Sequence, residues 1–171
     1  MQNELFCKMN YFELYGLEEA PVVDRSAVPK KYFELQKKFH PDFYTNENEA
    51  ERENALQQSA ATNEAFRIFK DPDRTIEYFL QVKGIISPDE KYRLPPEFLM
   101  EMMELNESFG EADEAALKTK INDFETGLQN EVAPLLEPAA AAALTAAQMQ
   151  ELKSYYYRKK YLKRILERLD D

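Results

Sequence analysis

The chain has little cysteine or histidine, two residue types that often hold metal ions in proteins. Its 171 residues include one cysteine, Cys7, and one histidine, His40. A single cysteine excludes an internal disulfide and cannot form a CxxC zinc site, and a single histidine excludes His-rich metal chemistry. We therefore expect neither a metal site nor a cofactor.

Glycine is scarce as well, and runs of β-branched residues are almost absent. Only four glycines occur, whereas Ala, Leu, Glu, Lys and Gln recur at helical spacing, which predicts an all-α fold. The length allows two small domains with modest cores of their own. Because prolines at positions 88, 95 and 96 indicate a linker, we expect an N-terminal domain over residues 1–84, a linker over 85–94 and a C-terminal domain over 95–171.

Long apolar runs and an excess of positive charge are also missing. No apolar stretch is long enough to cross a bilayer, and no basic-then-apolar leader precedes the first motif, so we expect a soluble, cytoplasmic protein. The formal net charge of −10 argues against nucleic-acid binding, because neutralising phosphates requires a basic surface. We expect a protein partner instead.

The tripeptide His40-Pro41-Asp42 is the most distinctive local feature. Proline restricts the residue before it to extended backbone, so a helix that ends near Phe39 should stop at the histidine and display the aspartate on a loop. That helix has two candidate caps, Asp24 and Ser26, and the position of Pro29 in its first turn favours Ser26. Apolar residues at spacings of four, three and four form its buried stripe: Val28, Tyr32, Leu35 and Phe39.

Lysines occupy the part of the same helix that the apolar stripe leaves open. They come in two adjacent pairs seven residues apart, on neighbouring lines of the helix surface: Lys30, Lys31, Lys37 and Lys38. Glu34 stands among them and weakens the positive potential. The pattern indicates either a basic contact face on an acidic protein or an ordinary solvated helix face.

Three further helices are predicted in the first half. A short one lies within residues 11–17 and is closed by Gly16. A long one covers residues 49–70 and ends at Asp71-Pro72, and another covers residues 74–82, with Tyr78 and Phe79 facing inward. The long helix carries its amphipathic positions at Leu56, Ala60, Asn63, Phe66 and Phe69.

The first helix of the second half, predicted over residues 95–109, has more apolar residues than one core stripe requires. Its core stripe consists of Phe98, Met102, Leu105 and Phe109. At 100° per residue, a second face collects apolar and acidic residues: Leu99, Met100, Met103, Glu104, Glu107 and Glu111. Because no Lys or Arg occurs between positions 94 and 117, the second face is either an acidic docking surface or, equally, the contact with another helix of a bundle.

Two more helices complete the second half. One is predicted over residues 112–136, with Gly127 as a weak point, and the last over residues 146–169, with Thr145 as a cap. The last helix has seven basic residues and one acidic residue in 153–168. It could therefore lie against the acidic helix predicted over residues 95–109. Its core stripe is Leu152, Tyr155, Leu162, Ile165, Leu166 and Leu169. Tyr156 and Tyr157 fall off this stripe and could extend the docking face or cover the bundle edge.

These motifs together resemble a J-domain. A Tyr-rich short helix precedes the run YFELQKKF, which leads into His40-Pro41-Asp42, and the segment SAATNEAF follows at residues 59–66. The tripeptide alone is weak evidence, but its place between two amphipathic helices is specific. The second half narrows the resemblance, because FLMEMMEL at residues 98–105 after a short J-domain is similar to the HscB family, the J-type co-chaperones of iron-sulfur cluster assembly.

The HscB resemblance covers nearly the whole chain and implies a fold, two partners and two sites. It implies a J-domain helical hairpin and a C-terminal three-helix bundle in an L-shaped arrangement, without the N-terminal zinc-binding cysteines of eukaryotic relatives. The J-domain would bind a DnaK-class chaperone of the HscA type and stimulate its ATPase through these residues: His40, Pro41, Asp42, Lys37, Lys38, Lys30 and Lys31. The bundle would bind an IscU-type iron-sulfur scaffold through these: Leu99, Met100, Met103, Glu104, Glu107, Glu111 and Tyr156.

The resemblance also implies that the catalytic residues belong to the partner, so we expect this chain not to be an enzyme. The contrary interpretation makes His40 a general base paired with Asp42, yet the sequence offers no second histidine, glycine-rich phosphate loop or nucleophile motif. Nearer alternatives are a J-domain co-chaperone for another client and a non-catalytic helical adaptor. A test of ATPase stimulation would distinguish a co-chaperone from an adaptor. A test of scaffold binding would distinguish the iron-sulfur role from a role with another client.

Overall fold

The computed structural model describes residues 10–44, 48–107, 114–137 and 143–170. The chain divides into two compact units, Met1–Val82 and Lys83–Asp171. Within those described ranges all regular structure is helical, so the predicted all-α class is confirmed. The L-shaped arrangement stays a prediction.

The first unit is built from helices whose ends follow local chemistry. Its elements are α1 (Tyr11–Tyr15), α2 (Val28–Phe39), a 3₁₀-helix (Pro41–Tyr44), α3 (Glu49–Lys70) and α4 (Pro72–Val82). Gly16 closes α1 as predicted, because its φ of 63° is left-handed and its N–H satisfies carbonyls at the helix end. Helix α4 begins earlier than predicted, since the Asp71 carboxylate accepts the N–H groups of Asp73 and Arg74.

The cap predicted for α2 is wrong. The residue before the helix is Ala27, which makes no side-chain cap. Ser26 lies in the preceding turn, where both its N–H and its hydroxyl donate to Asp24 Oδ1, at 2.9 and 2.6 Å. The Ser26 hydroxyl therefore acts as a donor within the turn before the helix, to an aspartate two residues earlier.

The core of the first unit is aromatic and joins α1 to α3 and α4. Phe12 and Tyr15 of α1 pack against Phe69 of α3, with ring centroids 5.0 and 5.4 Å apart. The Tyr15 hydroxyl donates a buried 2.7 Å hydrogen bond to the carbonyl oxygen of Thr62. On α4, Phe79 is buried as predicted, while Tyr78 is half-buried.

The stripe predicted for α3 is largely wrong. Leu56 is exposed and Asn63 faces α2. The buried positions of α3 are mostly small residues, with Phe69 as the large one among them: Ala55, Ser59, Ala61, Thr62, Ala65 and Phe69. Helix α3 packs against α1, α2 and α4, and small side chains permit this close approach on several sides. The large apolar residues of α3 therefore do not mark its buried side, and a stripe predicted from them falls on a neighbouring line of the helix surface.

The second unit consists of three α-helices and a short 3₁₀-helix within its described residues. They are α5 (Pro96–Glu107), α6 (Glu114–Val132), the 3₁₀-helix (Ala133–Leu135) and α7 (Ala146–Asp170). Its core includes Phe98, Met102, Leu105, Leu117, Ile121, Leu128, Leu152, Tyr155 and Leu162. Helix α6 passes through Gly127 without a break, and Thr145 precedes α7, exchanging hydrogen bonds with Gln148.

The segment between α4 and α5, predicted as a linker, contacts α7. Lys153 Nζ of α7 donates to the carbonyl oxygen of Ile85 at 2.9 Å and forms an ion pair with Glu90. The ring of Tyr92 stacks on Tyr157 with centroids 4.3 Å apart. Residues 85–92 are therefore part of the second unit and are held against α7 by polar and aromatic contacts.

Candidate functional site

The first predicted contact surface is the turn that follows α2. His40 has φ −64° and ψ 127°, the extended backbone that a following proline requires, and α2 ends at Phe39 as predicted. The next residues form a 3₁₀-helix instead of the predicted open loop, since the N–H of Phe43 donates to the carbonyl oxygen of His40 at 3.1 Å. Asp42 therefore occupies a defined helical turn.

The side chains of His40 and Asp42 lie close together at the surface. Their side chains are 48% and 84% exposed, and His40 Nδ1 is 3.6 Å from Asp42 Oδ2. The backbone N–H of Asp42 points at the same Nδ1 at 3.3 Å. A catalytic acid–base pair usually lies in a cleft that limits the access of water, whereas these two side chains are open to solvent.

Tyr44 ties the turn back to α2. Its hydroxyl donates to the carbonyl oxygen of Lys38 at 2.8 Å, one of the carbonyls that a helix end leaves without an intrahelical partner. The neighbouring ring of Phe43 is exposed and meets His40 edge-on at 5.9 Å. No role for Phe43 or Tyr44 was predicted from the sequence, although two aromatic residues directly after His40-Pro41-Asp42 are a usable signal for a side chain that braces the turn.

The predicted basic face is present but uneven. Lys30, Lys37 and Lys38 are exposed, whereas Lys31 forms an ion pair with Glu34 at 3.6 Å, the carboxylate expected to weaken the face. Lys38 Nζ also lies 5.0 Å from the centre of the Phe39 ring. Positive charge is therefore concentrated on the side of α2 that carries Lys30 and Lys37.

Contacts with α3 hold α2 in place behind this face. Asn63 Oδ1 accepts hydrogen bonds from the hydroxyl of Tyr32 at 3.0 Å and from Gln36 Nε2 at 2.8 Å. The rings of Tyr32 and Phe66 lie 4.4 Å apart. Because positions 32 and 36 meet positions 66 and 63, the two helices run antiparallel, as in the predicted hairpin. Phe33 points outward and is exposed.

The second predicted contact surface is the outer face of α5. Leu99, Met100 and Met103 are 38%, 62% and 63% exposed, while Phe98, Met102 and Leu105 are at most 5% exposed. Glu104 and Glu107 are exposed on the same side, and Glu111 lies outside the described residues. The structure therefore brings five of the predicted residues together on one face. Within the described residues, Met100 and Met103 are mostly open to solvent and Leu99 is partly so, which disfavours the bundle-contact alternative. We call this group of Leu99, Met100, Met103, Glu104 and Glu107 the α5 outer face.

Tyr156 does not lie off the core, and this part of the prediction is wrong. It is 7% exposed, and its hydroxyl accepts a hydrogen bond from Lys160 Nζ at 3.1 Å. Its ring meets Tyr157 edge-on at 5.1 Å, and Tyr157 is covered by Tyr92. Helix α7 is packed by α6 and also by the segment before α5, so its buried face is broader than one stripe.

The basic helix α7 pairs mainly with α6 through the ion pairs that the structure describes. Arg158 contacts Glu131 at 3.0 Å and Lys159 contacts Glu125 at 3.2 Å. Its contact with α5 is aromatic, because Phe98 meets the Tyr161 ring at 5.8 Å. The carboxylates of the α5 outer face are thus not what brings α7 against α5.

In the part of the chain that the structure describes, no group of three or more His, Cys, Asp or Glu side chains could hold a metal ion. Across the same residues, none of the helices combines the length and apolar character that crossing a membrane requires.

Comparison with known proteins agrees with this architecture. The family model of the HSCB C-terminal oligomerisation domain matches residues 94–170. The co-chaperone protein HscB homolog of Vibrio cholerae is 35% identical over 168 residues, which cover 95% of this chain and 98% of the relative. The iron-sulfur cluster co-chaperone protein HscB homolog of Arabidopsis thaliana is 33% identical over 124 residues, covering 72% of this chain and 48% of that protein. The crystal structure of human co-chaperone protein HscB has the same fold, with a TM-score of 0.76, 23% identity and coverage of 95% of this chain and 81% of its own. The chain therefore belongs to the HscB family of co-chaperones.

Proposed function

We propose that this chain stimulates ATP hydrolysis by a DnaK-class chaperone of the HscA type and delivers an IscU-type scaffold to it, in the cytoplasm, during iron-sulfur cluster assembly. Membership of the HscB family supports the co-chaperone role, and the Arabidopsis relative is named as an iron-sulfur cluster co-chaperone. The chemistry of hydrolysis belongs to the chaperone. The chain contributes two protein-binding surfaces, one in each unit.

The observation that carries the proposal is the presentation of His40 and Asp42 on a braced turn. Both side chains are accessible to a partner, and the turn is fixed by the 3₁₀ hydrogen bond to Phe43 and by the Tyr44 hydroxyl. A rigid, exposed carboxylate beside a lysine face can form charge-assisted hydrogen bonds with an arginine or with backbone N–H groups of the ATPase. Lys37 and Lys38 would add attraction toward carboxylates of that partner.

The scaffold is proposed to bind the α5 outer face. Its three apolar residues offer area that a partner can remove from water, and Glu104 and Glu107 would pair with basic residues at the rim. Glu111 belongs to the same proposal by its place in the sequence. Tyr156 is 7% exposed, so it offers the scaffold little contact area of its own.

Joining the two surfaces in one chain gives the proposed mechanism. A scaffold held by the second unit stays near the chaperone that the first unit engages, which raises its effective concentration there. Hydrolysis is then triggered while the cargo is present. A linked pair of weak contacts suffices for this, and the chain needs no reaction of its own.

The test is a steady-state ATPase assay with the chaperone, the scaffold and Asp42→Asn. This substitution keeps the shape of the side chain and removes its charge, so we expect stimulation to be lost while scaffold binding in a pull-down is retained. Asp24→Asn is the matched control, an exposed aspartate in the turn before α2, and it should stimulate as the unaltered chain does. Full stimulation by Asp42→Asn would remove the assignment, and stimulation without scaffold binding would identify a co-chaperone for a different client.

A further inference from the structure

Helix α5 carries three methionines in two different environments. Met100 and Met103 are 62% and 63% exposed, whereas Met102 between them is 3% exposed. The first two are three residues apart and share the outer side of the helix, and Met102 points into the core with Phe98 and Leu105. One short segment therefore holds two accessible thioethers and an internal reference that solvent does not reach.

An accessible thioether reacts with hydroperoxides without help from other groups. The sulfur lone pair attacks the terminal oxygen of hydrogen peroxide, the O–O bond breaks, and the products are methionine sulfoxide and water. The sulfur loses two electrons and the peroxide gains them, so no further reactant is needed. Sulfoxide formation converts a flexible apolar side chain into a polar one, and methionine sulfoxide reductases reverse it.

We propose that Met100 and Met103 form an oxidation site through which hydrogen peroxide and alkyl hydroperoxides release the scaffold from the α5 outer face. The inference rests on the proposed function for the identity of the partner. The modification itself follows from the exposure of the two thioethers and needs no partner.

The effect on docking follows from the polarity of the product. A sulfoxide oxygen is a strong acceptor, and burying it without a donor costs free energy. Glu104 and Glu107, each four residues after one of the two methionines, are carboxylates that accept hydrogen bonds and cannot supply one when ionised. With both methionines oxidised we expect the scaffold affinity to fall at least about tenfold. The helix should be unaffected, because both side chains lie outside the core.

Oxidation and docking must then oppose each other in both directions. Oxidation by peroxide is effectively irreversible, so docking acts on the rate of this reaction. Bound scaffold covers the two sulfur atoms and keeps peroxide away from them. The scaffold-bound chain should therefore be oxidised more slowly at these two positions than the free chain.

The experiment treats the full chain with hydrogen peroxide, removes the peroxide, and measures both oxygen uptake at each methionine by peptide mass spectrometry and scaffold affinity by calorimetry. We expect Met100 and Met103 to be oxidised at least about tenfold faster than Met102, affinity to be lost, and a methionine sulfoxide reductase to restore it. The double variant Met100→Leu with Met103→Leu is compared with itself, and whatever scaffold affinity it has before peroxide should be the same after peroxide. The control Met102→Leu should lose affinity as the unaltered chain does, and both variants retain Cys7 and the remaining methionines.

The outcomes separate this inference from the proposed function. Full scaffold affinity of a chain oxidised at Met100 and Met103 overturns the release, as does equal oxidation of Met102 in the folded chain. Loss of affinity in the double leucine variant after peroxide assigns the effect to another residue and also overturns it. An untreated chain that does not bind the scaffold overturns the proposed function, whatever the oxidation pattern.

Discussion

The hydroxyl of Tyr15 donates a 2.7 Å hydrogen bond to the backbone carbonyl oxygen of Thr62, which joins α1 to the middle of α3 in the core of the first unit. Tyr15→Phe removes the donor and leaves the ring in place. We expect the first unit to lose about 1 kcal/mol of unfolding free energy, measured by urea denaturation. Tyr44→Phe is the matched control, because its hydroxyl bonds a backbone carbonyl at the exposed surface and should cost less. Equal losses in the two variants would contradict the importance given to burial.

The same tyrosine makes stability depend on alkaline pH. Burial raises the pKa of Tyr15 above its ordinary value near 10, and the nearby Tyr32 raises it further. The unfolded chain therefore releases this proton at a lower pH than the folded chain, so the contribution to stability is complete below pH 10 and is lost as pH rises above it. The slope for one proton reaches about 1.4 kcal/mol per pH unit. Denaturation at several values between pH 9 and 11 should show a smaller slope in Tyr15→Phe, and identical slopes would refute this.

Two glycines should respond to alanine in opposite directions. Gly127 lies inside α6 with open space around an added Cβ, so Gly127→Ala should stabilise the second unit by about 0.5–1 kcal/mol. Gly16 has φ 63°, so Gly16→Ala should destabilise the first unit by about 1–2 kcal/mol. Thermal unfolding of both variants checks the pair, and a loss of stability in Gly127→Ala would be the contrary result.

The basic face of α2 should contribute in a salt-dependent way. We expect Lys37→Ala with Lys38→Ala to raise the chain concentration that half-stimulates the chaperone ATPase by a factor of about 2–10 at low salt. The factor should shrink near 1 M salt, where charges are screened within about 3 Å. Lys163→Ala, an exposed lysine of α7, is the control. A factor that persists in high salt would assign the lysines a packing role.

The α5 outer face should lose scaffold affinity when its apolar side chains are shortened. For Leu99→Ala with Met103→Ala we expect at least about a tenfold loss in calorimetry, with unchanged thermal stability because neither residue is in the core. Leu56→Ala, an equally apolar exposed site on α3, should bind normally. Unchanged affinity in the double variant would show that the α5 outer face is an ordinary solvated surface.

The sequence predicted best the features that neighbouring residues decide. Pro41 stops α2 and Gly16 closes α1 through their own backbone limits, and the alternation on α5 separates Met102 from Met103 because one side of that helix is open. Such reasoning fails where a helix packs on several sides. The small residues of α3 and the burial of Tyr156 depend on neighbours that are distant in sequence, and the periodicity of one helix does not predict those neighbours.

The hydrogen bond from the Tyr44 hydroxyl to the carbonyl oxygen of Lys38 also has a kinetic consequence. Fixing the backbone of a residue costs about 1–2 kcal/mol of conformational entropy. For the residues from His40 to Tyr44 this loss occurs when the chain folds, before any partner binds. An encounter with a partner then requires almost no ordering of the turn. The association rate should consequently be governed by diffusion and by the charge on α2, and tighter binding in an evolved variant would come from slower dissociation.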